Sequence, residues 1–448
     1  MRSVLEVIAI PISLQSMITI GVNMTDTVMV GKLGETSLSA TALANQFVNI
    51  YQICCMGIAM GASVLTSRFW GMQDITSLKK TITLMLRLCI VLAVLFMLPT
   101  ILIPQLLMRM YTNDSAVIAQ GVQYFKWMVY CYFLQGMTMT CTIVLRSVGQ
   151  VNFPLFTSIG SFFVNILFNY MFIFGKLGVP RMEVEGAGVG TLIARVFEFS
   201  LICGYFLFVD RKIGYRLKDL RMKCNSLIKD YVSISIPVFV SDSLLALGTS
   251  AVAMVMGRIG TGFVSANSIT VVTQQLTTVI IQGICHASCI MTGHTLGHGE
   301  REKAQQQAWT FLILGLVVGI LGGGLIKVLS RPIIGLYNIT SETAQIAGEL
   351  MDAIAFIVIF QSMNSILTKG VLRGGGDTKF LMVADIIFLW AASLPLGILA
   401  GLVWHLDAFW IYVFLKIDQI CKSIWCVFRL RSGKWIKTFS KEKMNHAQ

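Results

Sequence analysis

The sequence predicts an all-α integral membrane protein in which twelve transmembrane helices form two parallel, pseudo-symmetric six-helix lobes. Three observations lead there. Hydrophobic residues make up 55% of the 448 positions and charged residues only 13%, with a mean hydropathy of +0.75, too apolar a mixture to cover a soluble surface of this size. Apolar stretches recur from end to end, at 4–30, 38–66, 82–104, 121–145, 152–174, 187–209, 231–257, 262–290, 307–329, 346–372, 380–402 and 408–430. Each is long enough for the roughly 20 residues that cross a bilayer as a helix. Finally, the chain contains itself twice. A shift of 226 places lays Ile10-Pro11 on Ile236-Pro237, Gly31-Lys32-Leu33-Gly34 on Gly257-Arg258-Ile259-Gly260, Thr66 on Thr292, Tyr111 on Tyr337 and Gln135 on Gln361. One added residue then brings Val144-Leu145-Arg146 onto Val371-Leu372-Arg373. A duplicated apolar chain of this kind reads as a transporter built of two halves.

The segments are continuously apolar, which excludes the alternating pattern of a transmembrane β-barrel. The first follows Arg2 but lacks a small-residue cleavage pattern and matches residues 230–257, so it reads as a span and not as a signal peptide. The net charge of +13 is unevenly placed. Lys79, Lys80, Arg146, Arg211, Lys212, Arg216, Lys218, Arg301, Arg373 and the tail from Arg429 to Lys443 fall on one side, with Lys32, Arg109, Lys176, Arg258 and Lys327 among the few on the other. This bias predicts both termini in the cytoplasm and a plasma-membrane location, and it explains the basic charge without nucleic acid. The eleven cysteines lie mostly inside the apolar segments with no regular spacing and read as small buried residues. The expected domains are a first lobe at 1–212, a linker at 213–229 and a second lobe with its basic tail at 230–448. The polar stretch Asp210–Asp230 reads either as a basic amphipathic helix lying on the anionic inner leaflet or as a solvated connection. Because six segments precede it, the repeats run parallel.

Polar groups in a bilayer core are costly and usually face a cavity or a partner. Gln15, Thr19, Asn23 and Asp26 share one face of the first segment, and Asn45, Asn49 and Gln52 form a stripe on the second. The repeat places Gln275 opposite Asn49 and Gln361 opposite Gln135, and Asn165 and Asn169 lie one turn apart on the fifth segment. Interhelical hydrogen bonding explains many such amides. Asp26 differs, because its repeat partner is Val252 and its own segment has no basic residue beside it, so it must be protonated, paired or bound to a cation. Arg195 and Glu198, three apart on the sixth segment, read as a pair with each other. Asp242, Asp385, Lys416 and Asp418 read as a second polar cluster whose pairing the sequence leaves open. His294 and His298 have ligand-like spacing but fall in a loop without supporting ligands.

Several motifs resemble the multidrug and toxic compound extrusion (MATE) family, and its NorM-like branch in particular. They are Asn23-Met24-Thr25-Asp26-Thr27, Asn165-Ile166-Leu167-Phe168-Asn169-Tyr170, Gly186-Ala187-Gly188-Val189-Gly190-Thr191 and the paired Val-Leu-Arg sequences, in order over nearly the whole chain. The resemblance implies two six-helix lobes around a central cavity and export of organic cations or amphipathic drugs in exchange for protons or sodium ions. It assigns the cation to Asp26, Asn165, Asn169 and Thr191, which would also be the ligands of a sodium ion. In one respect the chain departs from the pattern. The acid expected on the seventh segment is Leu245, and no acid stands at Gln361 or Ser362, which leaves Asp242 as the nearest substitute.

The expected substrate cavity therefore includes Gln15, Thr19, Asn23, Asn45, Asn49, Gln52, Gln275, Gln361 and Asp242. No cofactor is expected beyond the coupling ion, a proton or sodium ion. The expected partners are small cationic or amphipathic molecules and membrane lipids, the expected state is a monomer, and nucleic acid is not a partner. The alternative function is a flippase for lipid-linked saccharide or peptidoglycan precursors, which would call for Arg or Lys in the cavity. An enzyme is not expected, because no nucleophile, base and oxyanion constellation is present.

Overall fold

A computed structural model describes residues 2–335 and 340–437. Tyr337 and the end of the basic tail, including Lys441 and Lys443, lie outside the described residues. The described chain is helical throughout. In order, α1 (Arg2–Gly31), α2 (Glu35–Gly71), α3 (Ile75–Leu102), the short α4 (Pro104–Arg109), α5 (Ser115–Ser147), α6 (Asn152–Phe174) and α7 (Glu183–Gly204) make the first set. After them come α8 (Asn225–Ile259), α9 (Thr261–Gly297), α10 (Arg301–Ile334), α11 (Ser341–Ser365), α12 (Thr378–Asp385), α13 (Leu394–Ile398), α14 (Ala408–Leu415) and α15 (Ile417–Arg431). Eleven helical stretches among the described residues are long and apolar enough to span a membrane, from Val7–Gly31 to Thr378–Val403.

The last two spans depart from uniform α-helix. Thr378–Val403 is α-helical at α12 and α13 but winds as π-helix over Ile386–Ser393 and Leu399–Val403, and Ile366–Leu372 after α11 does the same. The twelfth segment, expected as one span at 408–430, is two helices divided at Lys416. The physical reason is its second half. Asp418 and Lys422 of α15 are buried and face inward to a partner helix, where Lys422 Nζ lies 3.1 Å from Asp385 and 3.0 Å from Asp418.

Of its two expected forms the linker is nearer the solvated connection, with Arg211, Lys212, Arg216, Lys218, Arg221 and Lys223 exposed. It makes one 3₁₀ turn, Leu217–Arg221, and folds back on α3 of its own lobe. Lys79 donates to the Gly214 carbonyl at 2.6 Å, Arg87 donates to the Leu220 carbonyl at 2.6 Å, and the hydroxyls of Thr83 and Tyr215 are 2.8 Å apart. Ile213 and Tyr215 are buried, and burial pushes the Tyr215 phenol up to about 12, so it remains a neutral hydrogen-bonding group.

The chain divides into two compact units, one of residues 14–235 and one of residues 2–13 with 236–437. The division falls inside α1 and α8, close to Pro11 and Pro237, so each of these helices contributes a segment to both units. In the first unit the core is aromatic: Tyr51 and Tyr132 meet edge to face with centroids 4.9 Å apart, with Phe96 beside them. Tyr51 Oη donates to the Tyr132 carbonyl, and Gly136 leaves room for that phenol. In the second unit α10 and α11 meet along a stripe of glycines. Gly315, Gly319 and Gly323, spaced four apart, lie against the backbones of Met363, Ile359 and Ala355. Small residues at such spacing let two helices approach until their backbones touch, which is the main source of cohesion where lipid removes the hydrophobic drive. Leucine in place of Gly319 is expected to force α10 and α11 apart and to destabilise the protein by about 1–3 kcal/mol, read as a lowered melting temperature of the detergent-solubilised protein.

Candidate functional site

The site begins with close packing between α6 and α7. In the run Gly186-Ala187-Gly188-Val189-Gly190-Thr191, Gly186 and Gly190 are one turn apart and both face α6. A Cβ at Gly186 would meet the Phe172 backbone, and one at Gly190 would overlap the Asn169 side chain. Gly188 lies on another side, against Tyr124 and Trp127 of α5. The missing side chains thus bring α6 close to α7, and the space left at Gly190 is filled by the Asn169 amide oxygen, which leaves the NH2 group of the same amide to face the other way.

That way lies Asp26. Asn169 Nδ2 donates to Asp26 Oδ1 at 2.6 Å and to Asn165 Oδ1 at 3.3 Å, so one amide joins α1 to the neighbouring asparagine of α6. Asn169 is fully buried, and its own Oδ1 has no hydrogen-bond partner. Among the described residues Asp26 forms no ion pair; the positive charge acting on it is that of Arg195 of α7. A half-buried carboxyl with an amide donor and no paired cation is chemically suited to exchange a proton or a monovalent cation.

Asp26 opens into a cavity of about 390 Å³ that lies wholly within the first unit. Thr19, Asn23, Asn45, Asn49, Gln52, Asn165 and Thr191, all expected from sequence, line it. So do Tyr124, whose hydroxyl donates to Asn45 Oδ1 at 3.2 Å, and the apolar Ile18, Val22 and Met128. Asn169 lies behind this lining and reaches the cavity through Asp26 and Asn165, to both of which it donates.

Two further lining residues, Arg195 and Glu198, were read from sequence as a local pair. They are one, with Nη1 and Oε2 2.8 Å apart, and they also face the cavity. Spacing of three on a helix identifies partners but not the direction in which the pair points, so nothing in the sequence places this guanidinium near Asp26.

The other expected cavity residues lie elsewhere. Gln15 is buried outside the lining, where it accepts from Arg146 and donates to Ser158 Oγ at 2.7 Å. In the second unit Gln361 accepts from Gln274 at 2.7 Å, and Gln275 is exposed. Asp242 pairs with Arg373 at 3.0 Å. Asp385 and Asp418 share Lys422, and Ser241 donates to Asp385. Lys422, absent from the sequence reading, is therefore the centre of the second polar cluster. The acids of that cluster are matched by basic groups, whereas Asp26 has an amide.

Among the described residues no group of three or more His, Cys, Asp or Glu side chains could hold a metal ion. The oxygens around Asp26 are those of one carboxylate and two amides, with an N–H of Asn169 set between two of them. This donor set fits a proton directly, and fits a sodium ion once the Asn169 amide is turned to present its unpartnered oxygen.

Two substitutions separate packing from charge. Valine at Gly190 is expected to displace Asn169 and cost about 1–3 kcal/mol. Glutamine at Arg373 leaves Asp242 charged without its partner and is expected to cost more, about 3–5 kcal/mol. Thermal unfolding of the two purified variants beside wild type checks the order.

The MatE family model matches residues 11–171 and 237–420, once in each half, and its two matches begin at the prolines that the internal repeat superposes. The probable multidrug resistance protein NorM of Thermotoga maritima is 24% identical over 442 residues, covering 97% of this chain and 93% of its own length. The uncharacterized transporter YisQ of Bacillus subtilis is 24% identical over 419 residues, covering 92% of this chain and 90% of its own. Among solved structures, a multidrug resistance MATE family transporter of the MOP superfamily in an outward-facing conformation superposes with a TM-score of 0.85 at 18% identity, over 96% of each chain. A MOP superfamily transporter from Pyrococcus furiosus gives 0.84 at 19% identity, over 97% of this chain and 96% of its own. With both halves matched and the twelve-segment architecture shared, the chain is a multi-pass membrane protein of the MatE family, on its NorM-like branch.

Proposed function

We propose that this protein is a secondary multidrug efflux antiporter, which exports organic cations or amphipathic drugs in exchange for a proton or sodium ion. The observation that carries this reading is the position of Asp26: it lies on the wall of a drug-sized cavity and is bound by an amide, while Asp242, Asp385 and Asp418 are held by arginine or lysine. A carboxyl that a fixed basic partner neutralises gains little from an exchangeable ion. One bound only by an amide can take a proton or cation from one side and release it on the other.

On this reading the ion-free carboxylate receives the cationic drug, and binding of the coupling ion to Asp26 expels it. A single carboxylate serving both ligands makes their binding mutually exclusive, which is the requirement for obligatory exchange. Asn165 and Asn169 hold the carboxyl in place, and Thr191 contributes a hydroxyl to the same wall. The cavity opens alternately to the two sides of the membrane. The excess of Lys and Arg between the spans and in the tail supports an orientation with both termini in the cytoplasm, in the plasma membrane. The names of the curated relatives support the drug class. The set of one N–H and two oxygens around the carboxyl supports a proton more directly than a sodium ion. The flippase alternative would draw on Arg195, but that charge is matched by Glu198 and stands alone, without the cluster of cations a pyrophosphate calls for.

Asp26→Asn keeps the shape of the carboxyl and removes its ionisation. In everted vesicles with the variant at wild-type abundance, accumulation of a fluorescent cation driven by an imposed gradient is expected to fall to background. Full-rate accumulation would sink the assignment. Wild-type vesicles given a pH gradient alone are expected to accumulate the dye, and accumulation under a sodium gradient alone would identify sodium as the coupling ion instead.

A further inference from the structure

The cavity contains a positive charge that an exporter of simple cations does not need. Arg195 lines the same cavity as Asp26, and its charge acts on that carboxyl. Glu198 offsets the charge through one bond, Nη1 to Oε2 at 2.8 Å. A guanidinium has five N–H donors in a planar fork. Only that one bond is formed here, and the Arg195 side chain remains 29% exposed where it lines the cavity, so the rest of the fork is free to meet a ligand. The lining thus holds both signs: an amide-bound carboxylate at Asp26, a guanidinium with open donors at Arg195, and with them hydroxyls, amides and the apolar surfaces of Ile18, Val22 and Met128.

We infer that Arg195 is a specificity-determining residue, which selects amphipathic zwitterions whose carboxylate docks on its open N–H groups while their protonated amine faces Asp26. This rests on the reading of the cavity as a drug-export site and names the substrate class it prefers. A lone cation satisfies Asp26 but leaves the fork of Arg195 facing its charge. A zwitterion satisfies both ends, and carboxylate is the anion that a planar fork binds bidentately. Glu198 accepts from Nη1 alone and leaves the remaining donors of the guanidinium for a ligand. At about 390 Å³ the cavity is in the range that encloses a molecule of drug size.

The test uses two dyes that differ in one group, a rhodamine with a free carboxylate and its methyl ester, and measures the affinity of each for purified wild type, Arg195→Gln and Arg195→Lys by fluorescence polarisation. Wild type is expected to prefer the free acid over the ester. In Arg195→Gln the ratio of the two affinities is expected to shift toward the ester by about tenfold, the loss of one charge-assisted hydrogen-bonded contact. Arg195→Lys, which keeps the charge but not the fork, is expected to fall between. A ratio equal in wild type and both variants overturns the inference and leaves the export reading intact, as does a parallel loss of acid and ester binding. Failure of wild type to bind either dye overturns the export reading together with the inference built on it.

Discussion

A charge placed in hydrocarbon must find a partner within the protein, and the organisation of this chain follows from how each buried charge does so. In the second unit the partners are opposite charges: Arg373 for Asp242, and Lys422 for Asp385 and Asp418. Arg373 ties α8 to the segment that follows α11, Lys422 ties α12 to α15, and the Ser241–Asp385 hydrogen bond joins α8 to α12, which leaves little for an exchangeable ion to do. In the first unit Asp26 is met by Asn169, and Asn169 is aimed by a glycine on the next helix. The chemistry of Asp26 therefore depends on an atom that is missing: the absent Cβ of Gly190 leaves the space in which the Asn169 amide oxygen sits, and with the oxygen there the NH2 group meets Asp26.

The two halves solve one structural problem with different chemistry. The repeated Val-Leu-Arg sequence puts an arginine at matching points, and each reaches the first helix of its own half. Arg146 donates to the amide of Gln15, whereas Arg373 pairs with the carboxylate of Asp242. The arginine is thus shared and its partner is not: Gln15 falls on Ser241, and Asp242 falls on Ser16. Duplication supplied the scaffold twice, and divergence at single positions made one half neutral around its arginine and the other ionic. Asp26 opposite Val252 belongs to the same pattern, because the acid stands where the cavity lies and the matching Val252 packs into the core of the second unit.

Most of the fold is legible in the sequence, because a bilayer demands long apolar runs and the repeat fixes how they group. The break at Lys416 is not. Hydropathy averages over a window and counts Asp418 and Lys422 as a cost, while their mutual pairing, visible only in three dimensions, removes that cost. The linker was open to two readings for a similar reason: its alternating basic and apolar residues suit a membrane surface, and nothing local shows that Ile213 and Tyr215 are claimed by α3. At the site, the stripe on the first two segments and the asparagine pair were readable because helical periodicity places them on one face. Arg195 was not, since the same periodicity that pairs it with Glu198 conceals where the pair points. Gln275 and Gln361 were assigned by symmetry and Asp242 as the substitute for an acid missing at Leu245, and none of the three lines the cavity of the first unit.

The cavity wall holds two acids and one arginine, so Asp26 decides whether the site as a whole is negative or neutral. That single charge has an electrical consequence. If one coupling ion exchanges for a monovalent cation, no net charge crosses the membrane and the voltage does no work. A zwitterion carried on the same cycle leaves the inward movement of the ion uncompensated, and each turnover then gains about 2.3 kcal/mol per 100 mV from the membrane potential. With the Arg195–Glu198 pair silent in the count, the charge on the substrate alone determines whether the transporter is driven by voltage.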